Sequence, residues 1–332
     1  MKEIIDTQNL AEILRKKSVD IKNKACLMSD LRETQEEEDL SLPVNCRGFG
    51  RIHHFRLTSG LQWISDPLPM LPASKYLGIP ETKVIPVQVF QLAACNFHCW
   101  YCFVDSILRS ADSKHSNFVT ARELFGYMSE GKVKARVIDL SGGHPGLVPE
   151  YALWFLRTRA EMGLEKTHFI WTDDNLSTDY LWRYLSKDDI EYMINAPGFS
   201  QVGCLKGFDS ESFSFNTGAD KHLFDYQIEL LGRLVKAGFD QYGYITLTTL
   251  NLENLESKIA ELFDKIQKQI HLNFPLRMVP LQIFKFNANK NRYIQRADGN
   301  QYRVLNVWQA EMQQRFSKSE LSKPMTEISL EE

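Results

Sequence analysis

Cys95-Asn96-Phe97-His98-Cys99-Trp100-Tyr101-Cys102 gathers three thiols in one C-x3-C-x2-C run. Thiolates are nucleophiles and metal ligands, whereas a free buried cysteine behaves as a small hydrophobe. Three readings are open. As core residues, the cysteines would sit badly in a loop that also carries Asn96 and His98. As a structural zinc knuckle, Cys99-x2-Cys102 would need a second pair, and Cys26, Cys46 and Cys204 are isolated. As ligands of a [4Fe–4S] cluster, three thiolates would leave one iron without a protein ligand and open to an exogenous one.

Further residue groups bear on chemistry. Ser141-Gly142-Gly143-His144-Pro145 follows a β-branched run. Glycines there let backbone carbonyls approach a ligand ammonium, or simply make a tight turn. A neutral His144 ring can accept one hydrogen bond but brings no negative charge. Cys204-Leu205-Lys206-Gly207-Phe208-Asp209 carries a thiol and a cation; Cys204 is either substrate-facing or a small buried strand residue. In Thr172-Asp173-Asp174-Asn175, Asp174 and Asn175 could bond ribose hydroxyls or a cationic substrate, or could cap a helix near Ser177. Thr246 and Thr248 share one strand face, where their hydroxyls could reach a ligand. His53-His54 reads as surface. Lys285, Lys290, Arg292, Arg296 and Arg303, interleaved with Tyr293 and Tyr302, read as a solvated basic cover.

These groups must be positioned by an α/β framework. Strands are expected at 84–93, 133–141, 166–172, 200–206, 241–249 and 276–286, with helices at 120–130, 148–162, 177–195, 221–237 and 252–270. Thr120 with Glu123 predicts a capping box, and Gly131 and Gly238 predict helix ends. Each chemical group follows the C-terminal end of a strand, where β/α barrels build their sites. Six strands fall short of a closed eightfold barrel and predict an open, partial (β/α)6 barrel. Pro86 and Pro280 mark its first and last strands as edges. Residues 1–82 form an N-terminal extension or lid, 83–290 the barrel and 291–332 a C-terminal helical tail. Within the extension, Ile4, Ile5, Leu10, Ile13 and Leu14 predict an amphipathic helix, and Glu36-Glu37-Glu38-Asp39 a solvated loop. Residues 46–80 read as irregular.

Composition sets the outer bounds. The 332 residues carry 39 Lys+Arg and 42 Asp+Glu, a net charge of −3 that supplies no whole-surface field for nucleic acid. Hydrophobic residues are 43% and charged residues 24%, which excludes global disorder. Six cysteines are too few for a disulfide scaffold, the start does not read as a signal peptide, and no apolar run is long enough to span a membrane. A cytoplasmic, reducing compartment is expected.

The cysteine loop resembles the radical S-adenosylmethionine (SAM) superfamily, whose hallmark is C-x3-C-x-aromatic-C, with Tyr101 as the aromatic residue. That resemblance implies a partial six-stranded barrel over about residues 84–286. It also implies one [4Fe–4S] cluster on Cys95, Cys99 and Cys102, with SAM chelating the open iron. Tyr101 would lie near the adenine. Ser141, Gly142, Gly143 and His144 are similar to the segment that holds the SAM amino group, with His144 where a glutamate is usual. Lys206, Phe213 and Thr217-Gly218 are similar to the activating-enzyme branch typified by pyruvate formate-lyase activase. There the lysine helps hold the SAM carboxylate, and Cys204 stands where that branch has aspartate. The resemblance implies reductive cleavage of SAM and hydrogen abstraction from a protein or peptide residue, or alternatively from a small molecule. A flavodoxin- or ferredoxin-type electron donor would follow. A non-catalytic metal-binding protein is the reading of another class.

Overall fold

The structure, a computed structural model, describes residues 4–56, 63–80 and 84–331. The chain begins with α1 (Thr7–Ser18), β1 (Val19–Asp20) and β2 (Ala25–Ser29), followed by β3 (Gly50–Arg56), α2 (Met70–Leu77) and β4 (Val84–Phe90). Then come β5 (Ser116–Thr120), α3 (Ala121–Glu130), β6 (Val137–Leu140), α4 (Glu150–Glu161) and β7 (Phe169–Asp174). The series continues with α5 (Tyr180–Tyr184), α6 (Lys187–Asn195), β8 (Phe199–Leu205), α7 (Ser210–Thr217) and α8 (Leu223–Ala237). Last are β9 (Gln241–Thr246), α9 (Leu255–Gln269), β10 (Met278–Leu281), α10 (Gln295–Arg315) and α11 (Lys318–Leu321).

Local signals account for most boundaries. The Thr120–Glu123 capping box starts α3, and Gly238, at φ +96°, ends α8 in the left-handed region. Leu223, Ile228, Leu231 and Leu234 bury one stripe of α8. The single helix expected at 177–195 is two, because Leu185 is extended and Ser186 opens a new capping box with Asp189. The helix expected in the C-terminal tail is present as α10, which starts at Gln295 and runs to Arg315. The residues beyond it are also ordered, as α11 and a buried Met325 under the barrel.

The main sheet has the order β10-β9-β8-β7-β6-β4-β3. All neighbours are parallel except β3, which runs antiparallel to β4. The expected partial (β/α)6 barrel is therefore present as a curled half-barrel with one added strand. β3 arises within residues read as irregular and pairs from Gly50↔Phe90 to Arg56↔Val84. Pro86 is consequently not on an edge strand. It pairs with His54, and the β6 ladder starts one residue later at Val87, so its missing N–H leaves no gap there. Pro280 does lie on the edge strand β10. The domain boundary expected at 82–83 falls outside the described residues, and the sheet itself runs across both sides of it. β1, β2 and β5 form a second, small sheet.

Strand alternation divides the core. Val87, Val89, Val137, Trp171, Val202 and Tyr244 face the barrel interior, which Leu68 and Met70 at the start of α2 seal from below. Ile138, Leu140, Ile170, Leu205 and Ile245 face the surrounding helices.

α1 is anchored to this framework by a buried ion pair. Arg15 donates to both carboxylate oxygens of Glu150 at 2.6 and 2.9 Å and to Leu147 O at 3.0 Å. Each side chain of the pair is 7% exposed. Glu150→Ala is expected to cost about 3–5 kcal/mol in urea unfolding, because it strands the guanidinium. Arg15→Met combined with Glu150→Leu should recover most of that loss. Equal stability of Glu150→Ala and wild type would refute the assignment.

Candidate active site

The C-x3-C-x2-C loop leaves the C-terminal end of β4 and lies against the ends of its neighbours. Its backbone is tied on several sides. Cys95 N–H donates to Arg109 O at 2.9 Å, His98 N–H to Thr217 O at 2.9 Å and Trp100 N–H to Asn216 O at 3.3 Å. Its carbonyls are held as well: Ala94 O by the His144 N–H at 2.6 Å, Phe97 O by Arg109 at 3.0 Å and Tyr101 O by Asn289 at 2.9 Å. Arg292 donates to Cys102 O. The region after β10 was expected to be a solvated basic cover; Arg292 and Asn289 instead brace the loop from behind.

The three thiols belong to this one loop. Cys95 and Cys99 are buried and Cys102 is half-buried. Burial, the largest influence, pushes the Cys95 thiol up to about 12, against the pull of Arg109. Cys99 is likewise raised by burial, with Lys206 and Arg109 opposing. Asn175 points its amide Nδ2 at Cys95 Sγ, 3.7 Å away. Two cations and an amide donor around buried thiols suit an anionic iron–sulfur cluster, whose metal ions deprotonate their ligands outright. Among the described residues, no three His, Cys, Asp or Glu side chains converge as ligands of a single ion. A cubane takes one thiolate per iron, so its cysteines need not converge on a single point.

Gly142 and Gly143 have φ +87° and +66°. A Cβ on Gly143 would stand 2.0 Å from Leu92 O, and one on Gly142 2.3 Å from Gln91 Oε1. The glycines are thus required where this turn is pressed against the start of the cysteine loop, whatever they also do for a ligand. His144, expected at the cofactor, is fully buried and faces the loop. Its Nδ1 lies 3.0 Å from Asn96 Oδ1 and its Nε2 3.0 Å from Asp174 Oδ1. The same Asp174 oxygen accepts the Leu176 N–H at 2.7 Å, an Asx turn in the loop after β7; the helix cap expected near Ser177 is absent, because α5 starts only at Tyr180, after Asp179.

Ser141 Oγ donates to Asp139 at 2.8 Å. Lys206, just beyond β8, makes no hydrogen bond or ion pair with its ammonium among the described residues. Burial lowers its pKa, but Cys204, Cys99 and Asp173 around it outweigh that and raise it. Cys204 is buried on the inward face, and burial pushes its thiol up to about 12. Thr246 Oγ1 lies 3.0 Å from the Tyr101 hydroxyl, bridging β9 to the cysteine loop.

Asn216 is the principal residue missed by sequence reasoning. Fully buried, it accepts from Trp100 Nε1 at 2.9 Å and Thr248 Oγ1 at 2.7 Å, and donates to Lys206 O at 2.8 Å and Thr248 O at 3.1 Å. One amide thereby sets the cysteine loop, the lysine and β9 in register. Its only signal in the sequence was its position just before Thr217-Gly218. Arg109 was missed too, since nothing about an arginine after Leu108 marks it as a brace. Of the His53-His54 pair expected at the surface, His53 is exposed and His54 half-buried.

Comparison with known proteins adds a family. Residues 92–263 match the family model described as the Radical SAM superfamily. No curated protein matches. Among solved structures, Streptococcus suis SuiB bound to S-adenosylmethionine is 16% identical, with a TM-score of 0.44 over 69% of this chain and 47% of that one. A spore photoproduct lyase mutant with bound AdoMet and dinucleoside spore photoproduct is 13% identical, with a TM-score of 0.45 over 72% and 75%. A radical SAM methyltransferase from Sphaerobacter thermophilus is 11% identical, with a TM-score of 0.41 over 68% and 64%. The chain spans under half the length of the Streptococcus suis chains. At these scores the likenesses carry no argument about activity. No described helix is long and apolar enough to cross a membrane.

Proposed function

The family match covers more than half of the chain, so the chain belongs to the radical SAM superfamily, and from that premise we propose that it is a SAM-cleaving enzyme. Cys95, Cys99 and Cys102 hold one [4Fe–4S] cluster, and SAM binds over the strand ends beside it. The observation that carries this is the braced three-thiol loop facing, across the same rim, a Lys206 ammonium that has no hydrogen bond or ion pair among the described residues. When bound and reduced, the cluster supplies one electron to SAM, giving methionine and a 5′-deoxyadenosyl radical that takes hydrogen from a substrate.

The chain's own residues do the positioning. Lys206 pairs with the SAM carboxylate, a charge-assisted contact whose cation is already present. The backbone of Ser141, Gly142 and Gly143 receives the amino group. Tyr101 and Thr246 offer a ring face and two hydroxyls to the nucleoside. Asp174 and Asn175 stand near its ribose, with Asn175 also turned to Cys95. His144 acts through Asn96 and Asp174, fixing the loop rather than touching SAM. Cys204 faces the substrate space. Electrons arrive from a flavodoxin- or ferredoxin-type donor on the outer face, where a hollow of about 490 Å³ has the buried Cys95 in its wall with Leu10, Leu14, His98 and Arg109.

Lys206, Phe213 and Thr217-Gly218 support an activase-like enzyme that abstracts hydrogen from a protein or peptide residue. One observation favours a small-molecule substrate instead. The barrel interior is closed below by Leu68 and Met70, and Asp39 bridges its open side by accepting the Asn287 N–H at 2.9 Å. The test is anaerobic reconstitution followed by reduction with dithionite in the presence of SAM. Four irons per chain, a reduced-cluster EPR signal and formation of 5′-deoxyadenosine are expected. Uptake of one zinc and no iron would overturn the reading.

A further inference from the structure

Resting on the radical SAM reading, we propose that the substrate carries a protonated amine or guanidinium, received inside the barrel by Asp139, Asp173 and Asp66. Asp139 shares the inward face of its strand with Val137, and Asp173 shares that of Trp171. Asp66 comes from the segment that crosses beneath them. It accepts the Tyr244 hydroxyl at 3.1 Å and the Leu68 N–H at 3.0 Å. Asp139 is 3% exposed; its Oδ2 accepts from Ser141, while Oδ1 has no hydrogen-bond partner among the described residues. Asp173 Oδ1 accepts from Trp171 Nε1 at 3.1 Å. A buried carboxylate oxygen without a donor is costly, and a cationic group satisfies it best.

Charge balance points the same way. The interior also holds Glu36 and two cations, Arg51 and Lys206. Arg51 faces inward opposite Val89 and lies 3.5 Å from Glu36, so that pair is internally balanced. Lys206 is engaged by the SAM carboxylate in the proposed complex. Arg51 also reaches Asp139 and Asp173, but its single charge is matched by Glu36, so the three carboxylates are left with the remaining positive charges of SAM, its sulfonium and its ammonium. Three carboxylates against two cations leave one unmatched. Crowding of this kind favours retained protons: burial pushes Asp66 up to about 7 and Asp173 up to about 6, and burial together with Asp173 raises Asp139 well above the carboxylate range. An entering ammonium or guanidinium replaces a proton at this site. Trp171 and Tyr244 line the same space with aromatic walls that suit a cation or its alkyl stem.

The test uses the reconstituted, SAM-loaded enzyme and calorimetric titration with matched probes. Nα-acetyl-lysine methylamide and agmatine represent a peptide side chain and a free amine, and Nα-acetyl-norleucine methylamide is the uncharged control. At least one cationic probe should bind about tenfold or more tighter than the norleucine compound, with net proton release. Whichever of the two binds tighter identifies the source of the cation. Asp139→Asn should remove that preference, and Asp66→Asn provides the same test if the first variant fails to fold. Equal binding of charged and uncharged probes by an enzyme that forms 5′-deoxyadenosine would overturn this inference alone. Absence of iron and of 5′-deoxyadenosine in the wild type would overturn the reading on which it rests.

Discussion

Cys99→Ala is expected to fold, to keep no stable [4Fe–4S] cluster and to form no 5′-deoxyadenosine above background. The thiol is 7% exposed and packs in the outer core. Alanine keeps the Cβ and removes one sulfur, a small cavity costing about 1–2 kcal/mol. The loop's backbone ties do not involve that sulfur. The His98 N–H still donates to Thr217 O, and Asn289 still holds Tyr101 O. Folding and chemistry should therefore separate. The thermal transition moves by a few degrees, whereas iron content and the EPR signal collapse, because two thiolates cannot hold the cube. Lys206 also loses one of the groups that raise it. A variant that makes 5′-deoxyadenosine at the wild-type rate would remove Cys99 from the site.

Gly143→Ala should be the most damaging substitution outside the cysteines, and Gly163→Ala is its matched control. The two glycines have nearly the same backbone, φ +66° and +67°. A left-handed conformation alone costs a non-glycine residue about 1–2 kcal/mol. At Gly163 nothing lies within 4 Å of the added Cβ, so that cost is the whole effect. At Gly143 the Cβ would stand 2.0 Å from Leu92 O and 2.8 Å from Ala94 O. Both contacts are rigid backbone at the root of the cysteine loop, so the loop must shift. Gly143→Ala is expected to cost at least about 3 kcal/mol more than Gly163→Ala in urea unfolding, at the upper range for overpacking. Any soluble fraction should show weakened SAM binding. Similar losses for the two variants would mean that the turn is not pressed against the loop.

The contrast between what was and was not legible in the sequence follows interaction range. The cysteine spacing, the Thr120 capping box and the β/α alternation are encoded within a few residues. Strand β3 was hidden because Gly48 and Gly50 read as loop, and its partner β4 lies a long loop away. The run Glu36-Glu37-Glu38-Asp39 looked like a solvated face. Instead Glu36 is buried beside Arg51 and Asp39 reaches Asn287. His144 could be located by motif but not oriented, since its partners Asn96 and Asp174 come from two other loops. Asn216 has no local signature beyond its place before Thr217-Gly218. Its role exists only where Trp100, Lys206 and Thr248 meet.

The brace from Arg292 to the Cys102 carbonyl spans 190 residues of sequence. During synthesis the three cysteines leave the ribosome long before the arginine that steadies them. Until residues 289–292 have emerged, the loop lacks both the Asn289 and the Arg292 contacts. A cluster delivered to the nascent chain would meet an unsupported loop. Stable cluster insertion is therefore expected only once residues 289–292 have emerged, and truncations that remove them should be iron-poor even where the half-barrel has formed.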